Sequence, residues 1–186
     1  MKYKKWLALI IAIITVITVF LFSANSYKKT IDHFFKAYEK NDPDILYNDV
    51  IADYWINYMN IGWGEGVAYE SLEDSIEDNL DDWGLGNNIK ITYEIKDKIK
   101  ASDKEVKELE MYIIDNYVDY VGNEDNYSIS AAYLLDVHFV VEAKGNTTKQ
   151  YYPDGLLVIK ENGKWKITRG HLSCSFPDDY TNIFAH

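Results

Sequence analysis

The sequence predicts an α+β domain, helices first and an antiparallel sheet after them, behind an apolar N-terminal segment. Three observations carry this reading. Apolar residues recur at helical spacing from Tyr27 to Trp83. Two long stretches, Asn88 to Ala101 and Ile129 to Val141, alternate strictly or keep every second position apolar. Asn162-Gly163 then separates LLVIKE from KWKI, the strongest hairpin signal in the chain. A length of 186 residues suits one domain with a short appendage, and 47% hydrophobic residues suffice for a core.

Residues 1–26 read as a cytoplasmic tip and a transmembrane anchor. Lys2, Lys4 and Lys5 open the chain, and Trp6 to Phe22 is a seventeen-residue apolar run broken only by Thr15 and Thr18. As a helix it measures roughly 26 Å, close to the thickness of a hydrocarbon core. The lysine excess before the run, against Lys28 and Lys29 after it, leans towards an external domain and a cell-membrane, single-pass protein. The alternative is a cleaved secretory signal ending near Ala24-Asn25-Ser26, which leaves a secreted domain. Either way, residues 27–186 are expected to be extracytoplasmic.

The net charge of −11 understates how acidic that domain is. Three of the nineteen basic residues precede Phe22, leaving sixteen against thirty acids, a net of −14. Such a domain is expected to repel nucleic acid and anionic lipid headgroups, and Arg169 is its only arginine, so phosphate clamps are scarce. The single Cys174 excludes an internal disulfide.

Along the chain, Tyr27 to Lys40 forms the first amphipathic helix, with Ile31, Phe34, Phe35 and Tyr38 on one face. Asp42 and Pro43 start a second helix running through Leu46, Val50 and Ile51. Asn60 to Gly66 is expected to be a glycine-punctuated loop. The third helix contains SLEDSIEDNLDDW, where Leu72, Ile76, Leu80 and Trp83 make the inner stripe and six carboxylates a solvated outer face. In the strand Asn88 to Ala101, Ile89, Ile91, Tyr93, Ile95 and Ile99 are expected on the buried face, with lysines on the other. Ser102 and Glu105 form a capping box for a helix carrying Val106, Leu109, Ile113 and Tyr117. The next strand keeps its odd positions apolar from Ile129 to Val141, and the tail, residues 173–186, looks irregular.

IDHFFKAYEKNDPD, IKITYEIKDKIKA and LLVIKENGKWKI together resemble the NTF2-like (cystatin-like α+β, SnoaL-like) superfamily. More narrowly, they resemble its membrane-anchored members in low-GC Gram-positive bacteria. The resemblance covers residues 27–172 and implies a cone of N-terminal helices packed on a curved sheet, with a pocket between them. That superfamily hosts isomerases and dehydratases as well as transport and secretion-machine subunits, so the fold alone names no activity.

Candidate site residues are few. Tyr54, Trp55, Tyr58, Trp63 and Tyr69 crowd around the glycine loop, where they line a ligand pocket or build the lip between helices. Asp136 and His138 share the even face of their strand and form an acid–base pair if a bulge turns them inward, or a solvated pair otherwise. His33 beside Asp32, Cys174, and the acidic helix offer nothing with metal-ligand or nucleophile spacing. No cofactor or metal is expected. The leading expectation is a non-enzymatic, membrane-tethered domain that binds a small ligand or an envelope protein. The alternative is a small cofactor-free enzyme of the SnoaL, isomerase or dehydratase type using the cone pocket.

Overall fold

The computed structural model describes residues 26–84, 88–122, 126–143, 146–151 and 155–168. The apolar run 6–22, Arg169, His171, Cys174 and the tail 173–186 lie outside the described residues. Among the described residues no helix is long and apolar enough to cross a membrane.

The architecture is α+β. Helix α1 (Tyr27–Lys40) starts at Ser26, whose hydroxyl accepts the Lys28 N–H at 3.3 Å, and it buries Ile31, Phe34, Phe35 and Tyr38. Helix α2 (Pro43–Ile45) lasts one turn before passing into a π-helical turn, Leu46–Val50. There the Ile51 N–H reaches back five residues to the Leu46 carbonyl at 2.9 Å. The second helix is therefore shorter than the periodicity suggests. Ile51 is extended and lies parallel to Ile167, and the Ala52 N–H donates to the Ile167 carbonyl at 2.8 Å. Helix α3 (Asp53–Trp63) then occupies most of the stretch expected as loop, and Gly62 falls in its last turn. Helix α4 (Val67–Trp83) buries Leu72, Ile76, Leu80 and Trp83 and leaves Glu73, Asp74, Glu77, Asp78, Asp81 and Asp82 exposed.

The remaining elements are β1 (Lys90–Lys100), α5 (Asp103–Tyr117), β2 (Ile129–Ala143), β3 (Asn146–Tyr151), β4 (Leu156–Glu161) and β5 (Lys164–Ile167). Strand β2 is the spine of a wholly antiparallel sheet. β1 runs along one side of it, β3 and β4 pair with its two halves on the other, and β5 lies beyond β4. Asn162 and Gly163 both have positive φ, 47° and 81°, the type I′ turn that matches strand twist. Gly155 is needed at the start of β4: its φ is 80°, and a Cβ there would stand 2.8 Å from Leu134 Cδ1.

A bulge between Ile95 and Asp97 redirects β1. Before it, Ile91, Tyr93 and Ile95 pair with Val141, Phe139 and Val137 on the α1 face. After it, Lys98 pairs with Leu135 and Lys100 with Tyr133, so lysines take over that face. Ile99 consequently points the other way and is 47% exposed, contrary to the buried position its alternation predicts. A second shift, between Ile129 and Ala132, buries Ala132 in place of Ala131.

The sheet is covered on both faces. On one, α1, the π turn and α4 bury Phe34, Phe35, Tyr38, Trp83, Leu135, Val137 and Phe139 in the main cluster. On the other, α5 covers only the β4 end, where Leu109 and Ile113 meet Ala132, Leu157 and Ile159. Strand β4 thus reads as a continuous apolar run, because alternate residues enter different clusters. Helix α3 straddles the β5 edge, sending Ile56 into the first cluster and Tyr54 into the second.

Candidate functional site

The aromatic residues singled out by sequence disperse. Tyr54 is buried, its hydroxyl donates to the Thr168 carbonyl at 3.4 Å, and its ring lies 5.1 Å from Tyr117. Tyr58, one turn on, meets Tyr117 and Tyr120 edge-on at 5.3 and 5.2 Å. Trp55 is half-buried against both clusters. Tyr69, on α4, faces Tyr47 at 5.8 Å, and Trp63 is 69% exposed. Helical geometry explains this: Tyr54 and Tyr58 share a face turned to α5, while Trp63 sits at the frayed end. Asp136 and His138 are brought together, Oδ1 to Nε2 3.2 Å, and both are roughly half exposed. His33 pairs with Asp49 of the π turn at 3.4 Å, not with its sequence neighbour Asp32.

A cluster that sequence reasoning missed joins the β4–β5 hairpin to the start of α3. Ala52 stands at the N-cap of α3 and offers no side-chain acceptor. Glu161 supplies one from the sheet, accepting the Asp53 N–H at 2.6 Å and the Tyr54 N–H at 3.2 Å. Its side chain is almost fully buried. Burial raises its pKa above the ordinary carboxylate value and the nearby Asp53 charge adds to this, while the two N–H donors and the Tyr127 hydroxyl oppose them. Lys166, 4% exposed, completes the cluster with Nζ 3.1 Å from Asp53 Oδ1 and 3.3 Å from the Asn48 carbonyl. The available signal was the alternation Leu157, Ile159, Glu161, which carries a carboxylate onto a buried face.

A second assembly surrounds the start of α1. Tyr133 stacks on Trp165 with centroids 5.4 Å apart, and Tyr27 tilts against Tyr133 at 5.0 Å and meets Trp165 edge-on at 5.8 Å. The bulge in β1 delivers Lys98 to this stack, its Nζ 5.1 Å from the Tyr133 ring centre. Beside these rings lies an open groove of about 610 Å³ lined by Tyr27, Tyr93 and Ile95 with Lys28, Lys96, Lys98 and Asp97. Tyr93 donates to Asp32 Oδ1 at 2.5 Å. Burial and then that hydrogen bond hold the Tyr93 hydroxyl well above the usual phenol range, so it is a neutral donor and not a base. A smaller hollow of about 190 Å³ lies against Trp165, bounded by Lys29, Thr30, His33, Asp49 and Lys164. Ring faces and ammonium groups suit an anionic group with an apolar edge.

Among the described residues no three His, Cys, Asp or Glu side chains are close enough to hold a metal ion. No family model, curated protein or solved structure matches the chain.

Proposed function

We propose that the chain is a membrane-tethered extracytoplasmic domain of NTF2-like design that binds a ligand or another envelope protein and does not catalyse a reaction. Residues 6–22 supply the tether and residues 27–172 the domain. One observation carries the non-enzymatic part. Phe34, Phe35, Tyr38, Trp83 and Phe139 fill the space between the helices and the sheet, with Phe34–Tyr38 and Phe35–Phe139 centroids 5.3 and 5.2 Å apart. A SnoaL-like enzyme needs that space for substrate. Among the described residues, the buried Glu161 and Lys166 are engaged in holding α3 to the hairpin. The assembly version of the reading rests on Ile61 and Trp63, 65% and 69% exposed at the end of α3.

The test uses the whole chain. With alkaline phosphatase fused after His186, the enzyme is expected to be active and to stay with the membrane through carbonate extraction. An inactive fusion places the domain on the wrong side and ends the reading. A photo-crosslinker at Trp63 is expected to give a discrete adduct in intact cells. Its absence, with adducts from elsewhere on the surface, removes the assembly version and leaves ligand binding.

A further inference from the structure

We propose that the face around the start of α1 lies against the anionic headgroups of the membrane in which the chain is tethered. This rests on the tether proposed above. The geometry then follows from chain length. Only Ser23 to Ser26 separate Phe22 from Tyr27. Four residues reach at most about 14 Å even when fully extended. The headgroup region beyond the hydrocarbon is roughly 5–8 Å deep on each side. The N-terminal end of α1 therefore cannot stand far from the lipid surface.

What stands there is unlike the rest of the domain. The two hollows together are lined by five lysines and two carboxylates, although the domain as a whole carries −14. Four acids stand beside them: Asp97 accepts the Lys98 N–H at 2.7 Å, Asp49 lies 3.4 Å from His33, Glu94 is bridged by Lys96, and Asp32 accepts from the Tyr93 hydroxyl, so the lysines exceed the acids by one. Between the lysines lie the rings of Tyr27, Tyr133 and Trp165, the residue types that settle at headgroup depth. Helix α4 ends away from this face. Its last residue, Trp83, packs on Tyr38 at the far end of α1 and on Phe139, six residues along β2 from Tyr133, about 20 Å. With charges screened within about 8 Å, the local lysines and not the net charge determine what the surface meets there. The bulge between Ile95 and Asp97 is what builds the site, because it turns Lys98 and Lys100 onto the α1 face.

The test is lysine acylation read by mass spectrometry on the full chain, reconstituted in vesicles of phosphatidylcholine alone or mixed with phosphatidylglycerol. In the mixed vesicles, Lys28, Lys29, Lys96, Lys98 and Lys164 are expected to react roughly five-fold more slowly. The protection is expected to vanish near 1 M salt, where screening acts within about 3 Å. Lys104 and Lys107 on α5, with side chains 82% and 70% exposed, should react equally in both. The variant K28Q/K96Q/K98Q, with an unchanged circular dichroism spectrum, should lose protection at Lys29 and Lys164. A chain that resists carbonate extraction yet shows unprotected lysines overturns the docking and leaves the tether standing. A chain that carbonate releases removes the tether and the docking with it. Protection in neutral detergent without anionic lipid assigns the face to a second copy of the chain, and also overturns the proposal.

Discussion

Helices α3 and α5 begin in opposite ways. Helix α5 is capped by its own sequence: the Ser102 hydroxyl accepts the Glu105 N–H at 3.3 Å, and Glu105 returns to the Ser102 N–H at 2.5 Å. Helix α3 has Ala52 at its N-cap, with no local acceptor, and takes its cap from Glu161, 108 residues after Asp53. A helix start needs its free N–H groups satisfied, but nothing requires the acceptor to be nearby in sequence. The local solution is exposed and modest in effect. The distant one is buried, couples two elements, and should be far more costly to lose.

Four measurements can break or sharpen that comparison. Glu161→Ala leaves two N–H groups without an acceptor in a buried place, and is expected to cost about 3 kcal/mol in urea unfolding. A loss under about 1 kcal/mol, no more than an exposed cap, would show that the distance between the partners carries no energetic weight. Asp53→Ala strands Lys166, 4% exposed, with the Asn48 carbonyl alone, and should cost about 2 kcal/mol. Lys166→Met should stay within about 1 kcal/mol, because Asp53 is 54% exposed and water takes its place. Equal losses from the two would contradict a one-sided burial. Ser102→Ala is expected to cost about 1 kcal/mol, with faster amide exchange confined to the first turn of α5.

The smallest effect is a slope. Glu161 has a folded pKa raised above its ordinary 4.5, so the stability it contributes is full below that value and declines as pH rises through the folded pKa. Glu161→Gln removes the ionisation. Its stability relative to the unaltered chain should therefore climb as pH rises above 4.5. A flat difference would mean that the N–H donors and the Tyr127 hydroxyl balance burial.

The same contrast explains what could be read in advance. The capping box of α5, the Asn162-Gly163 hairpin and the Leu72–Ile76–Leu80–Trp83 stripe all depend on residues within a few positions of each other, and each was legible. Helix α3 was not. Ala52 gives no start signal, Gly62 argues against a helix, and the compensating carboxylate lies on another element. The bulge in β1 was equally hidden. IKITYEIKDKIK alternates except at Asp97, and only pairing with β2 shows that one residue is extra there. Both candidate assemblies depend on such distant events. The lysine and aromatic groove needs the bulge, and the α3 cluster needs Glu161. The Tyr54 and Tyr58 pairing was visible as spacing, but its partner Tyr117 could only be supplied by packing.

The cap of α3 also sets an order of events. At about 5–20 residues per second of synthesis, roughly 5–20 s separate the appearance of Asp53 from that of Glu161. Throughout that interval the N-terminal half can collapse on its apolar stripes, but α3 has no acceptor for its first turn and Ile51 has no Ile167 beside it. The final hairpin is therefore what closes the first half of the molecule. A chain cut short of residue 161 should leave α3 unfixed and open to proteases, however complete the helices ahead of it are.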